Sequence, residues 1–180
     1  EQPRARRAVV DRRRHETGIA WLEETFRANR PYDEFIRGVL TVDGYQRDNG
    51  AATFLVTHQS IDEMADRFSK TLLGVQINCA QCHNHPFDRW TMDDYYGFTA
   101  FFTQVGRKAT TDPRDRIIFN SGGGEAKHPV GGRVMAPKFL GGETPDLKGR
   151  DRREALADWL ASPQNPYFAN NLANIVWAHF

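Results

Sequence analysis

Apolar positions along this 180-residue chain recur mostly three and four apart, which predicts a mainly α-helical protein. Trp21, Leu22, Thr25 and Phe26 share one stripe, so residues 4–29 are expected to be helical. Pro31 suits the first turn of a short second helix carrying Phe35, Ile36, Val39 and Leu40. Residues 41–58 are polar and contain glycine. They are expected to be loop, with one short strand at Thr53–Val56. Ser60 and Glu63 make a capping-box pattern, and Ile61, Met64, Phe68, Leu72 and Val75 follow at helical spacing. A single helix is therefore expected to carry the chain to Cys79. Thr91 and Asp94 mark another helix start, with Tyr95, Phe98, Phe101 and Phe102 as its buried face. Asp151 and Glu154 mark a third, with Leu156, Trp159 and Leu160 facing inward. Ser162-Pro163 breaks it, and a last helix starts near Pro166.

Residues 105–149 differ in character, with most of the glycine and the clusters GGG, GG and GG. Short strands are expected at Arg116–Phe119 and Gly132–Ala136, joined by tight turns. So long an irregular stretch is expected to be functional or to cover something. The final helical pattern stops at Phe180 within an apolar face and without a cap, so the parent protein is expected to continue. The organisation expected is a helical domain over 1–149, including the Gly-rich region 105–149, followed at 150–180 by the helical start of a second domain.

Charge adds little globally, because 24 Lys and Arg face 23 Asp and Glu for a net charge of +1. Hydrophobic residues at 39% are enough for a core. The segment Arg4–His15 is strongly basic, but it lacks the aromatic interleaving of a single-strand binder. It is read as a solvated helix face, and no nucleic-acid partner is expected. No apolar run is long enough to span a bilayer. The GGG at Gly122–Gly124 is not a phosphate loop, since no Gly-Lys-Ser or Gly-Lys-Thr follows it.

Chemistry is concentrated in one place. The only two cysteines stand three apart in CAQCH, Cys79 to His83. This pattern attaches c-type haem. Two thiols on one side of a short turn add across the two vinyl groups, and the next His becomes the proximal iron ligand. Cys79 and Cys82 are thus expected to hold one covalent haem, with His83 on the iron and Phe87, Trp90 and Tyr95 forming an aromatic shell. A thioredoxin-like pair lacks its βαβ context, a zinc half-site with His83 and His85 has tight ligand spacing, and a local disulfide is the third alternative. For the opposite face of the iron, the Gly-rich stretch has the reach. It offers His128, stiffened by Pro129, as first choice and Met135 as second; His58 and His85 are further candidates.

The run LLGVQINCAQCHNHPFDRWTMDDYYGFTAFF resembles planctomycete cytochrome-associated proteins built from paired domains of unknown function, numbered 1549 and 1553. The segment KFLGGETPDLKGRDRREALADWLASPQNPYFANNLANIVWAHF is similar to the start of the second of the pair. Cys79, Cys82, His83, His85, Pro86, Phe87 and Asp88 match the central motif, and the run around His128 and Pro129 is similar to a family segment. The resemblance implies an oxidising compartment, periplasmic or at the cell surface, and often a further cytochrome domain upstream.

The expected function is therefore electron transfer by a single-haem module, with a redox protein or another cytochrome domain of the parent chain as partner. A haem-dependent oxidoreductase acting on an extracellular substrate is the enzymatic alternative, favoured by an open sixth iron position. A scaffold with a zinc-bound or structural CAQCH is the third.

Overall fold

The structure is a computed structural model, described over residues 16–58, 60–112 and 115–180. It is mainly α-helical with two small antiparallel sheets. The basic segment Arg4–His15 lies outside the described residues. Two compact units share the chain: Glu1–Gln59 with Val105–Ser121, and Ser60–Gln104 with Gly122–Phe180. The boundary expected at 149/150 falls inside the second unit. The Gly-rich stretch is divided, its first part belonging to one unit and the remainder to the other.

In the first unit, helix α1 covers residues 16–27, and α2 spans Tyr32–Leu40 after Pro31, as its pattern predicts. Trp21 of α1 stacks on Phe35 of α2 at 5.2 Å, while Ile36, Val39 and Leu40 are buried. β1 (Gly44–Tyr45), β2 (Val105–Ala109) and β3 (Arg116–Asn120) form a sheet ordered β1-β3-β2, with Ile118 fully buried at its centre.

The strand expected at Thr53–Val56 is instead helix α3, Ala52–Thr57. Three local and tertiary effects override the β-branched residues there. The Asn49 side chain accepts from the Ala51 N–H and starts the turn. Ala52, Leu55 and Val56 then bury one face at helical spacing. The Arg107 guanidinium closes the far end, donating to the carbonyls of Leu55 and His58, each at 2.8 Å. A cation at a helix C-terminus satisfies carbonyls that the helix leaves open.

In the second unit, α4 starts where the capping pattern puts it, with Ser60 Oγ accepting from the Glu63 N–H at 2.9 Å. It is not one continuous helix to the cysteines. The α-helix covers Ile61–Phe68, and a π-helical turn follows over Ser69–Leu73. Leu72 and Leu73 on this wider turn are both buried. Gly74, at φ +67°, stops it.

α5 (Met92–Thr99) has a complete capping box, so Asp94 serves as well here as the usual Glu: its carboxylate accepts from the Thr91 N–H, and Thr91 Oγ1 accepts from the Asp94 N–H. Tyr95, Phe98, Phe101 and Phe102 are all buried, as expected. Phe101, Phe139 and Trp159 form a continuous stack, with ring centres 5.2 and 4.8 Å apart.

The short strands β4 (Ala126–Lys127) and β5 (Val134–Met135) pair as a hairpin. α6 (Arg152–Ala161) buries Leu156 and Leu160, and α7 covers Phe168–Trp177. The cap of α6 differs in detail from its pattern: Asp151 accepts from the Arg153 N–H, and the buried Arg153 guanidinium folds back onto the same carboxylate. No helix among the described residues is long and apolar enough to cross a membrane.

Candidate functional site

The CAQCH segment is built as a small turn with opposite faces. A 3₁₀ helix spans Asn78–Gln81, and Cys82 caps it, its N–H directed to the Cys79 carbonyl at 3.4 Å. Ile77 and Ala80 are fully buried and anchor the turn. Cys79 and Cys82 are free and exposed. Residues three apart eclipse each other in a 3₁₀ turn, so the two thiols emerge on the same side. The small Ala80 side chain lets the turn lie close against the protein.

His83 is exposed, and its Nδ1 lies 2.7 Å from the Asn84 carbonyl. Nδ1 therefore carries the proton and donates, leaving the Nε2 lone pair available to a metal. His85 has the opposite arrangement: its Nδ1 accepts from the Phe87 N–H at 3.2 Å. The following loop is closed by the His85 N–H donating to the Trp90 carbonyl at 2.7 Å, and by the Met92 N–H donating to Asn84 Oδ1. Two thiols on one side of a turn, followed by an imidazole with its proton held on Nδ1, suit covalent haem attachment with axial ligation.

The three expected shell aromatics have different surroundings. Phe87 is 94% exposed beside the motif, a large apolar surface left in water. Trp90 is buried, with Nε1 donating to Asp88 Oδ2 at 2.9 Å. Tyr95 is buried and donates to Asp62 Oδ1 on α4 at 3.2 Å. Burial and then the Asp62 charge push the Tyr95 phenol far up. Its neighbour Tyr96, absent from the sequence reading, is the residue that reaches the motif, donating to the Gln81 carbonyl at 3.0 Å. Burial, Asp62 and then Cys82 raise its pKa. The available signal was the pair Tyr95-Tyr96 itself: adjacent helical residues point about 100° apart, so the second ring meets different neighbours.

Both candidates for the far side of the iron pack against Tyr96. The His128 ring centre is 5.6 Å from that of Tyr96. Met135 is buried with Ala100 and Ala126 in a cluster that Tyr96 covers. The structure thus brings the Gly-rich hairpin to α5, and α5 to the CAQCH turn. His128 is itself 8% exposed and engaged at both ring nitrogens. Nε2 is 3.3 Å from Asp93 Oδ1, and Nδ1 lies against Val130, 3.0 Å from its carbonyl and 3.1 Å from its N–H. His58 lies in the other compact unit, its ring against Phe54 at 4.5 Å.

The first turn of α5 fastens the Gly-rich segment ionically. Asp93 pairs with Arg133 and also lies against His128 Nε2, and Asp94 accepts from Lys138 Nζ at 2.8 Å. Burial raises the Asp94 carboxyl, but Lys138 and the Thr91 hydrogen bonds outweigh it and hold the group below the usual carboxylate range. A carboxyl whose pKa is depressed on folding contributes stability above its unfolded value, roughly 3.9, that is lost as pH falls through the folded value. Asp94→Asn is therefore expected to flatten the loss of stability below about pH 4, in urea denaturation followed across pH. An acid limb identical to that of the unaltered protein would rule out this contribution.

Among the described residues, no group of three or more His, Cys, Asp or Glu is arranged to hold a metal ion. A zinc site at CAQCH would need ligands drawn together from other positions.

No curated protein and no solved structure matches the chain. One family does, described as "Protein of unknown function (DUF1549)" and labelled PSCyt2, over residues 6–107. That match covers more than half of the chain and includes the whole CAQCH turn and all of α5. The chain belongs to the DUF1549 family.

Proposed function

We propose that the chain is a c-type cytochrome module that holds one covalent haem and transfers electrons in the cell envelope. The observation that carries this reading is the CAQCH turn, with two exposed thiols three residues apart and the His83 Nδ1 against the Asn84 carbonyl. A haem bound there supplies a one-electron iron couple. Cys79 and Cys82 anchor it, His83 is the proximal ligand, and exposed Phe87 gives apolar cover beside it. Buried Trp90 supports the loop from beneath. The compartment is the periplasm or cell surface, and the partner is a redox protein or another cytochrome domain of the parent chain. Residues 150–180 are the start of a second domain, of the 1553 type that the segment from Lys138 onward resembles.

A haem-dependent oxidoreductase is the second reading, favoured by one observation: both ring nitrogens of His128 are engaged, by Asp93 and Val130. Ligation by His128 would require it to give up one of these partners. While it keeps both, His128 would not ligate a bound haem, and unless Met135 did so a small substrate would reach the iron.

The deciding measurement is absorption spectroscopy, with and without dithionite, on protein expressed with haem-maturation machinery. A haem to protein ratio of one is expected, and a colourless protein would overturn both haem readings. His128→Ala then separates them. Conversion of a low-spin to a high-spin spectrum makes His128 the distal ligand and supports electron transfer. A high-spin spectrum in both proteins supports the oxidoreductase. A low-spin spectrum in both rejects His128 and turns the same test on Met135.

A further inference from the structure

We propose that Arg89 is an anion anchor beside the CAQCH turn, and that the group it takes is a carboxylate of the covalently held haem. The proposal rests on the haem reading above. Arg89 is exposed, yet its guanidinium is held in place. It lies over the Trp90 ring at 4.8 Å and 6.0 Å from the Tyr167 ring centre, and it donates to the Tyr167 hydroxyl. Gly141 closes the other side so tightly that a Cβ there would stand 3.0 Å from the guanidinium.

Among the described residues Arg89 has no ion-pair partner. Adjacent Asp88 directs its oxygens elsewhere, Oδ1 to the Arg89 backbone N–H and Oδ2 to Trp90 Nε1. Long exposed side chains ordinarily lose rotamer freedom on pairing. Here the aromatic stack has already restricted the guanidinium, whose planar fork matches a carboxylate.

Its place in the chain points to which carboxylate. The segment 89–92 is laced to residues 84–85 by the His85–Trp90 and Asn84–Met92 hydrogen bonds, directly after His83. The anchored cation therefore stands on the rim of the loop that would carry the iron ligand. The negative groups of a haem attached at Cys79 and Cys82 are its two carboxylates. A carboxylate on a partner protein has the same chemistry, and the test separates the two.

The full chain, matured with haem, is compared with R89Q and R89K by redox titration of the haem band, with thermal unfolding as a check on the fold. Loss of the cation leaves a haem carboxylate uncompensated near the iron, which favours the oxidised state. R89Q is expected to lower the equilibrium constant for reduction by roughly five- to thirtyfold. R89K keeps the charge and is expected to stay close to the unaltered protein. If R89Q does not load haem, a loaded R89K of near-normal potential upholds the requirement for charge. A loaded R89Q within about twofold of the unaltered protein overturns the proposal and leaves a partner carboxylate as the remaining source. An R89K shifted as far as R89Q overturns it as well, because the effect would then not follow the charge. Failure of the unaltered protein to load haem overturns the underlying haem reading instead.

Discussion

Exchanging Cys79 and Cys82 together for serine is expected to remove all covalent haem, so that a denaturing gel stained for haem peroxidase activity loses its band completely. The two thiols are the only cysteines in the chain, so no other residue can form a thioether. Both are exposed, and the turn is anchored by Ile77 and Ala80 on its other side, so the double exchange leaves the buried face untouched. Circular dichroism of the apoprotein is therefore expected to be unchanged, which distinguishes lost attachment from lost fold. The single variants are expected to keep one thioether and a weaker band. A band of normal intensity in the double variant would mean that the stain reports something other than attachment at CAQCH.

Gly74→Ala is expected to destabilise the protein by about 2–4 kcal/mol. Two costs combine. Gly74 has φ +67°, a left-handed conformation that costs an L-residue roughly 1–2 kcal/mol. A Cβ there would also stand 2.6 Å from Asn171 Oδ1. That amide cannot simply swing away, because its Nδ2 donates to the Thr71 carbonyl at 2.8 Å, within the π turn. Asn171 thereby ties α7 to the segment that delivers the chain to Cys79. Urea denaturation of Gly74→Ala, Asn171→Ala and the double variant separates the terms. The double variant is expected to cost less than the sum of the two singles, since the clash disappears when the amide is gone. A loss below about 0.5 kcal/mol for Gly74→Ala would show that the turn can be rebuilt without the left-handed residue.

The helix starts were legible because their signals are local. Ser60, Thr91 and Asp151 each satisfy an orphan backbone N–H within three residues of themselves, so sequence spacing alone contains the geometry. The buried faces of α5 and α6 were legible for the same reason, as periodicity maps directly onto a helix face. Segment 52–57 was not. Its β-branched residues favour a strand, and what makes it a helix includes an Arg107 guanidinium arriving from fifty residues downstream. The π turn was equally hidden. The apolar spacing continues smoothly from Met64 to Val75, and nothing in it marks where the helix widens.

At the site, the sequence by itself determined the reactive groups: two thiols and an imidazole at the spacing of one short turn. It also located His128 and Met135 in a stretch long enough to travel. Only the tertiary structure decided where they go. His128 meets Asp93 and Val130, Met135 meets Ala100 and Ala126, and both meet Tyr96, which in turn holds the Gln81 carbonyl. The choice between Tyr95 and Tyr96 was likewise tertiary, since adjacent helical residues differ only in which neighbour faces them. Covalent chemistry depends on atoms a few bonds apart, so it is written in local sequence. Ion pairs and packing join residues thirty to a hundred positions apart, and their partners are set by how the elements dock.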